Sequence, residues 1–249
     1  MTGKKKLVED DMEADESLLG PFREKLKALP PVDYDAEEIT ALAGSDADMA
    51  RFLIARNNNL EKAFAMAKGT LAWRSRFHPA ALTVQDFATA HGQDVWRFAG
   101  TTKNGWNVLH VTAAHWKSFS YGVDEYVKMV SYHVERSTTK NFIIFDMYRM
   151  AYFIDMRKLR ALAYILADYY PERLGCAVFV NCDWIFDKFF NIAIRWVDQR
   201  TANKCIDFRD NGAEFLLQHI DADQVTTKYG GTRQEPWPLE PLETATDDK

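Results

Sequence analysis

Asp155 to Phe208 decides the fold, and it reads helix, strand, helix, strand. Asp155 is a capping residue ahead of Leu159, Leu162, Leu166 and Tyr170, whose spacing draws the stripe of an amphipathic helix. Pro171 and Gly175 are expected to stop it. Cys176-Ala-Val-Phe-Val180 is a short, continuous apolar run, the length of a buried strand. Trp184 to Val197 then reads as a helix whose apolar residues, among them Trp184, Phe186, Phe189, Phe190 and Ile194, cover more than one face. Lys204-Cys-Ile-Asp-Phe208 closes the unit as a second strand. Two strands joined through a helix make a βαβ unit, which requires parallel pairing.

The same alternation extends toward the N-terminus. Asn141-Phe-Ile-Ile-Phe-Asp146 is a strong strand, and Asp124 is expected to cap a helix carrying Val127, Val130 and Val134. Val95–Phe98 and Asn107–Thr112 read as strands around the Asn104-Gly105 turn. Before residue 90 the period is helical. Leu18–Leu29 ends at Pro30-Pro31, Asp35–Gly44 follows, Ser45 caps a helix with Met49, Phe52 and Leu53, and Asn59 caps one with Leu60, Phe64, Ala67 and Leu71. Four segments result: a charged stretch without fixed structure at 1–17, a helical lobe at 18–89, an α/β domain at 90–231, and an acidic, Pro-containing tail at 232–249. The predicted fold class is α/β with a mostly parallel sheet and an N-terminal helical lobe.

Composition narrows the function. The 249 residues carry a net charge of −5, which disfavours non-specific nucleic-acid binding. Cys176, Cys182 and Cys205 are odd in number and lack metal-like spacing, so free buried thiols in a reducing compartment are expected. Met1-Thr-Gly-Lys-Lys-Lys is followed by acids rather than by the apolar core of a leader. No apolar run approaches the roughly 20 residues of a membrane span, so any membrane contact is expected to be peripheral. G-x-G-x-x-G, the P-loop, G-x-S-x-G and H-E-x-x-H are all missing, and the six histidines are scattered. No catalytic residue, cofactor or metal is expected.

Two features remain. Glu172 lies just before one strand and Lys204 opens the next, and parallel pairing would bring the strand starts to one sheet edge. A lysine beside a glutamate can hold a phosphate and its hydroxyl-bearing substituent, or simply form a surface ion pair worth roughly 0–1 kcal/mol. The helix from Trp184 to Val197 needs cover on both sides, from protein or from bound lipid, and each methylene buried is worth about 0.8 kcal/mol. Arg157, Lys158 and Arg160 are either a solvated helix face or a source of attraction to anionic lipid.

Arg51-Phe-Leu-Ile-Ala-Arg56, Leu60-Glu-Lys-Ala63 and Trp73-Arg74 resemble the helical part of CRAL-TRIO lipid-binding proteins. Ile144-Phe-Asp146, Tyr170-Pro-Glu-Arg173, Val180-Asn181, Phe186, Thr201 with Lys204, and Tyr229-Gly-Gly231 resemble their lipid-binding domain, in order, from about residue 45 to 231. The resemblance implies a sheet that floors an apolar pocket, gated by a mobile helix matching Trp184–Val197. It also implies non-covalent carriage of one hydrophobic molecule between membranes. In the phosphatidylinositol-transfer branch, residues matching Arg56, Glu172, Thr201 and Lys204 hold the headgroup, with Trp184, Phe186, Phe189, Phe190 and Ile194 assigned to gate and acyl pocket.

The chain departs from that branch at Asn57, where a second cation is frequent. Asn141, Ile143 and Leu109 replace the phosphatidylcholine-binding set, Val225-Thr226 replaces Leu-Pro, and Arg209-Asp210 replaces a glycine after the last strand. The expected partners are a phospholipid, phosphatidylinositol first, and a transient membrane surface. The expected state is a cytoplasmic monomer with peripheral membrane association. The alternatives are a carrier of an isoprenoid-like ligand, and a regulatory module with a sensory or vestigial pocket.

Overall fold

The computed structural model describes residues 12–234 except 118, 138 and 150–154, with Phe189 described by its backbone alone. The expectations for residues 1–11 and 235–249 lie outside the described residues. The chain divides into two units. A helical unit runs to Ala81 and takes in Tyr164–Glu172; an α/β unit comprises Leu82–Ala163 and the chain from Arg173.

In the helical unit α1 is Leu19–Lys27, α2 Ala36–Gly44, α3 Asp46–Ala55 and α4 Leu60–Phe77. Asp35, Ser45 and Asn59 cap the last three by accepting N–H bonds from Glu37, Asp48 and Lys62 at 2.8, 3.1 and 3.0 Å. Phe22, Leu26, Met49, Phe52, Leu53 and Leu71 fill the space between the helices. Tyr164–Glu172 joins this unit through Trp73. The indole stacks on Phe77 at 4.8 Å and on Tyr169 at 4.5 Å and meets Tyr170 edge-on, while the Thr70 hydroxyl donates to the Asp168 carbonyl at 3.2 Å.

The α/β unit opens with α5, Ala88–His91, before its sheet. The described strands are β1 Trp96–Thr101, β2 Asn107–Thr112, β3 Asn141–Asp146, β4 Leu174–Val180 and β5 Cys205–Asp207, side by side in that order. β1 and β2 form an antiparallel hairpin; the remaining pairs are parallel. Because the order never reverses, right-handed crossovers put the connecting helices on one face. These are α6 (Val123–Glu135), α7 (Met156–Tyr169, as far as Ala163), α8 (Trp184–Ala193) and α9 (Gln199–Asn203). The back face is left to α10 (Ala213–His219) and the chain after it. There Val108, Phe142, Ile144, Val178 and Ile206 pack on Phe215, Leu216, Ile220 and Tyr229.

Four details differ from the sequence reading. Gly175 does not stop a helix; it is the extra residue at a shift in β3–β4 register, and a Cβ there would lie 2.5 Å from the Trp106 ring. Asp124 sits inside the first turn of α6, whose cap position is Gly122. The Trp184 helix ends at Ala193 and tightens into a 3-10 turn over Ile194–Trp196. β5 begins level with Ala177 rather than Leu174, so the starts of β4 and β5 are offset along the sheet edge.

Candidate functional site

Strand register puts Leu109, Val111, Ile143, Phe145, Ala177 and Phe179 on the front face, opposite the α10 core. Phe145 and Phe179 stack at 4.7 Å with planes 10° apart. Phe186 and Phe190 of α8 descend onto Phe179 at 5.2 and 5.3 Å. At the other end Trp96 meets Phe145 edge-on at 6.2 Å, and His133 of α6 lies against Trp96 and Phe98. A run of aromatic rings therefore crosses the face from β1 to α8. The two faces are closed to different degrees. Val108, Phe142, Ile144 and Val178 on the back are fully buried, and Leu109, Val111, Ile143 and Ala177 on the front are buried too; Phe145, Phe179 and Phe190 alone of these are half-buried, although they belong to interior strands and the helix above them. Large aromatic surface left open over the middle of a sheet is the mark of a binding face.

Two buried polar atoms interrupt the apolar face. Asn141 donates through Nδ2 to the Arg173 carbonyl at 3.3 Å, while its Oδ1 and the Trp96 Nε1 have no hydrogen-bond partner.

α8 has two distinct sides. Asp183 caps it by accepting from the N–H groups of Ile185 and Phe186 at 2.9 and 3.0 Å. Phe186 is buried against the sheet; Trp184 is 66% exposed, and Lys188 and Ile192 also face solvent. The helix is thus covered on one side, not on both. Arg209 clamps its first turn to the chain after β5. Its guanidinium donates to the Asp187 carboxylate at 2.5 Å and to the Asp183 carbonyl at 2.6 Å. Ile194 is half-buried in the 3-10 turn, and the side chain of Phe189 lies outside the described residues.

Residues 95–231 match the family model of the CRAL/TRIO domain, more than half of the chain. The chain belongs to this family. It is 36% identical over 78 residues to the Sec14 cytosolic factor of Schizosaccharomyces pombe, covering 31% of this chain and 27% of that one. It is 25% identical to Patellin-6 of Arabidopsis thaliana, covering 86% of this chain and 58% of the relative, and 24% identical to Patellin-3 of the same plant, covering 95% and 51%. The matches thus span little more than half the length of these relatives at most. The crystal structure of Sfh5 superposes with a TM-score of 0.65 at 18% identity, over 93% of this chain and 96% of that one, which shows a shared fold.

The chain thus carries a domain of a lipid-binding family, and its front face leaves Phe145, Phe179 and Phe190 half-buried. Among the described residues no helix is long and apolar enough to cross a membrane. The four polar candidates fall in both units. Arg56 is the C-cap of α3, half-buried, with its guanidinium donating to the Ala55 carbonyl at 3.0 Å. Glu172 is half-buried with φ +55°, a left-handed conformation that is costly for a residue with a Cβ. Both belong to the helical unit. In the α/β unit, Thr201 gives its N–H and hydroxyl to the Asp198 carboxylate at 2.9 and 3.0 Å, and Lys204 is buried at the entry to β5. Burial alone would raise the Asp198 pKa, but the hydrogen bonds from Thr201 together with those from the backbone N–H groups of Arg200 and Asp198 outweigh it and hold the carboxyl below its usual range.

Asn57 now has a physical reason. It and Asn58 have φ of +52° and +54° where the chain turns from α3 into α4, and asparagine tolerates that region better than a lysine or arginine. The basic cluster is corrected. Lys158 is fully buried with its ammonium over the Tyr121 ring at 3.5 Å, and Arg157 is paired with Asp155, so only Arg160 of the three matches a plain solvated cation. The three thiols are free, Cys205 being half-buried, and burial pushes Cys205 up to about 11 and Cys182 up to about 12, which disfavours their thiolate forms.

Sequence reasoning missed a buried polar relay on the back of the sheet. Asp146, 1% exposed at the end of β3, accepts from Tyr229 Oη at 2.7 Å, Asn181 Nδ2 at 2.8 Å and Lys228 Nζ. The Tyr229 hydroxyl has one proton and spends it on Asp146, so it accepts from His110 Nε2 at 2.8 Å. The available signal was an aspartate ending an apolar strand and the Tyr-Gly-Gly turn. A Cβ on Gly231 would lie 1.9 Å from the Val225 carbonyl oxygen, so only glycine lets the turn close.

Proposed function

We propose that this CRAL/TRIO domain binds phosphatidylinositol and exchanges it at membranes. In this reading the acyl chains lie on the front face, Arg56, Glu172, Thr201 and Lys204 hold the headgroup, and α8, which includes Phe189, is the gate, with Phe186, Phe190 and Ile194 turned to the chains. The observation that carries the reading is the half-buried Phe145–Phe179 pair beneath Phe186 and Phe190. Moving a two-chain lipid through water exposes its methylenes at about 0.8 kcal/mol each, and a gate that opens against a bilayer avoids that exposure. The working state is a monomer that visits membranes from the cytoplasm.

The test is extraction of the purified protein followed by lipid mass spectrometry. Stoichiometric phosphatidylinositol is the expected result. A protein that emerges empty and fails to load from phosphatidylinositol liposomes contradicts the reading and favours the regulatory module. Recovery of a lipid alcohol favours the isoprenoid-like ligand, which has one observation on its side: the buried Asn141 Oδ1, an acceptor without a donor on the front face.

Arg209 gives the gate a separate test. Its bonds to Asp183 and Asp187 hold the first turn of α8. Arg209→Gly should accelerate exchange of whatever ligand is bound, by about two- to fivefold, as expected for loss of a solvent-exposed clamp. Fluorescent-lipid transfer between liposomes measures this; an unchanged or slower rate removes Arg209 from the gate.

A further inference from the structure

We propose that Trp96 hydrogen-bonds an oxygen atom on the tail of the bound ligand, so that the cargo is a lipid whose apolar part carries a hydroxyl or keto group. The two faces of the sheet treat their buried polar side chains differently. On the back, His110, Tyr229 and Asp146 satisfy one another, and Asn181 and Lys228 complete the carboxylate. On the front, Trp96 and Asn141 are each 2% exposed, and the indole Nε1 of the one and the amide Oδ1 of the other have no partner among the described residues. The two atoms need opposite partners, because the indole only donates and the amide oxygen only accepts. They are also too far apart to share one ligand atom. Trp96 is level with Val111 and, through it, with Phe145, whereas Asn141 starts β3; that is roughly 13 Å along the strands and, two strands over, about 10 Å across them.

Trp96 borders the part of the front face that is left half-buried. Its ring meets Phe145 edge-on at 6.2 Å, and Phe145 is the ring that stacks on Phe179. His133 lies against it, 5.6 Å between ring centres, but gives its own Nδ1 proton to the Met129 carbonyl at 2.7 Å and does not take the indole proton. His133 packs in turn on Phe98, Phe87 and Tyr132, so the surroundings of this N–H are aromatic. A hydrogen bond made in such a dry setting is stronger than one made in water. A plain methylene chain laid against Trp96 leaves the donor unpaired, whereas a chain bearing an oxygen at that point pairs it. Discrimination follows, because a buried donor that meets its acceptor favours that ligand over the analogue lacking it. The inference rests on the reading of the front face as a lipid site. In that reading the headgroup lies by Lys204 at the entry to β5, and β1 is four strand spacings away, on the order of 19 Å. The oxygen therefore belongs to the tail rather than to the headgroup or the ester linkages beside it.

The test is competitive loading of the full chain, read by mass spectrometry of the bound lipid. One pair of competitors is phosphatidylinositol with oleoyl chains against phosphatidylinositol with ricinoleoyl chains, which differ by a hydroxyl. A second pair, oleic against ricinoleic acid, has no headgroup phosphate. Hydroxy and keto isomers along the chain extend both pairs, since the position of the oxygen decides whether it reaches Nε1. At least one oxygenated isomer should be taken up about three- to tenfold over its parent, the span of one neutral hydrogen bond. Trp96→Phe keeps an aromatic ring without the N–H and should bring that ratio to about one. Trp116→Phe, which alters an indole stacked on Tyr126 away from the sheet, should keep the wild-type ratio. Equal uptake of every isomer by the wild type overturns the proposal without recourse to any variant and leaves a buried water as the partner of the indole. A preference that survives in Trp96→Phe, shown by thermal unfolding to be folded, overturns it as well. Preference within the fatty-acid pair, with neither phosphatidylinositol loading, supports the role of Trp96 and contradicts the phosphatidylinositol reading. Loading of phosphatidylinositol without preference does the reverse.

Discussion

Asp146→Ala is expected to lower the stability of the α/β unit by about 3 kcal/mol or more, read as a shift in the urea midpoint. The carboxylate is the common acceptor for Tyr229, Asn181 and Lys228. Removing it leaves the Tyr229 hydroxyl, and behind it His110, inside the sheet-to-α10 core without an acceptor. Tyr229→Phe removes a donor but leaves the Asp146 charge with its other partners, so a loss of only about 1–2 kcal/mol is expected. Equal and small losses in both variants would show that the relay contributes little.

The same relay sets a dependence on pH. Burial depresses His110 to about 3, so the native protein holds it neutral where an unfolded chain, with a pKa near 6.5, takes up a proton. The unfolded state therefore binds more protons, and stability falls as the pH drops from about 6.5 toward about 3. At Asp146, burial works to raise the carboxyl, but the bonds from Lys228, Tyr229 and Asn181 together hold it below its usual 3.8, which adds a further loss at still lower pH. Urea midpoints measured between pH 7 and pH 4 should decline in the wild type and decline less in His110→Asn. Parallel declines would remove His110 as the cause.

Glu172→Gly is expected to act in opposite directions on stability and on ligand. Glycine at φ +55° relieves the strain of a Cβ in the left-handed region, so the helical unit should gain about 1 kcal/mol. Loss of the carboxylate should at the same time cut phosphatidylinositol transfer tenfold or more, because hydrogen bonds to charged groups are worth about 1.5–3 kcal/mol. Lys204→Met keeps an apolar stem at a buried position while removing the ammonium, and it should cut transfer by a similar factor. Thermal unfolding and liposome transfer assays on the same preparations separate the two effects. Transfer that survives both substitutions would exclude Glu172 and Lys204 from the headgroup site. A Glu172→Gly protein no more stable than wild type would mean that contacts of the glutamate offset its strain.

The elements themselves were legible in the residues. Ser45 and Asn59 cap helices as read, Asn104-Gly105 turns the hairpin, and Asn107–Thr112 and Asn141–Asp146 are strands at the stated bounds. Caps, turns and apolar periods act over three to five residues, so the local sequence carries them. Gly175 was misread because its constraint is a distant one, the ring of Trp106 in the turn ahead of β2. Asn57 looked like a missing charge because a left-handed φ is not written in composition.

For Asp155–Phe208, the sequence alone determined the alternation of helix and strand and the apolar weight of the second helix. Only the tertiary structure decided which side of that helix is which. Phe186 and Phe190 turn to Phe179 while Trp184, Lys188 and Ile192 turn to solvent, because a crossover helix has one face toward its sheet and the sheet's twist and register choose that face. It also decided that Phe145 and Phe179 on the front stay half-buried while the back is sealed. That difference depends on the sequential strand order, which sends α10 and Tyr229 to the back and leaves Phe145 and Phe179 beneath α8. Pairing of distant strands is set by long-range contacts, and no short stretch of this chain contains them.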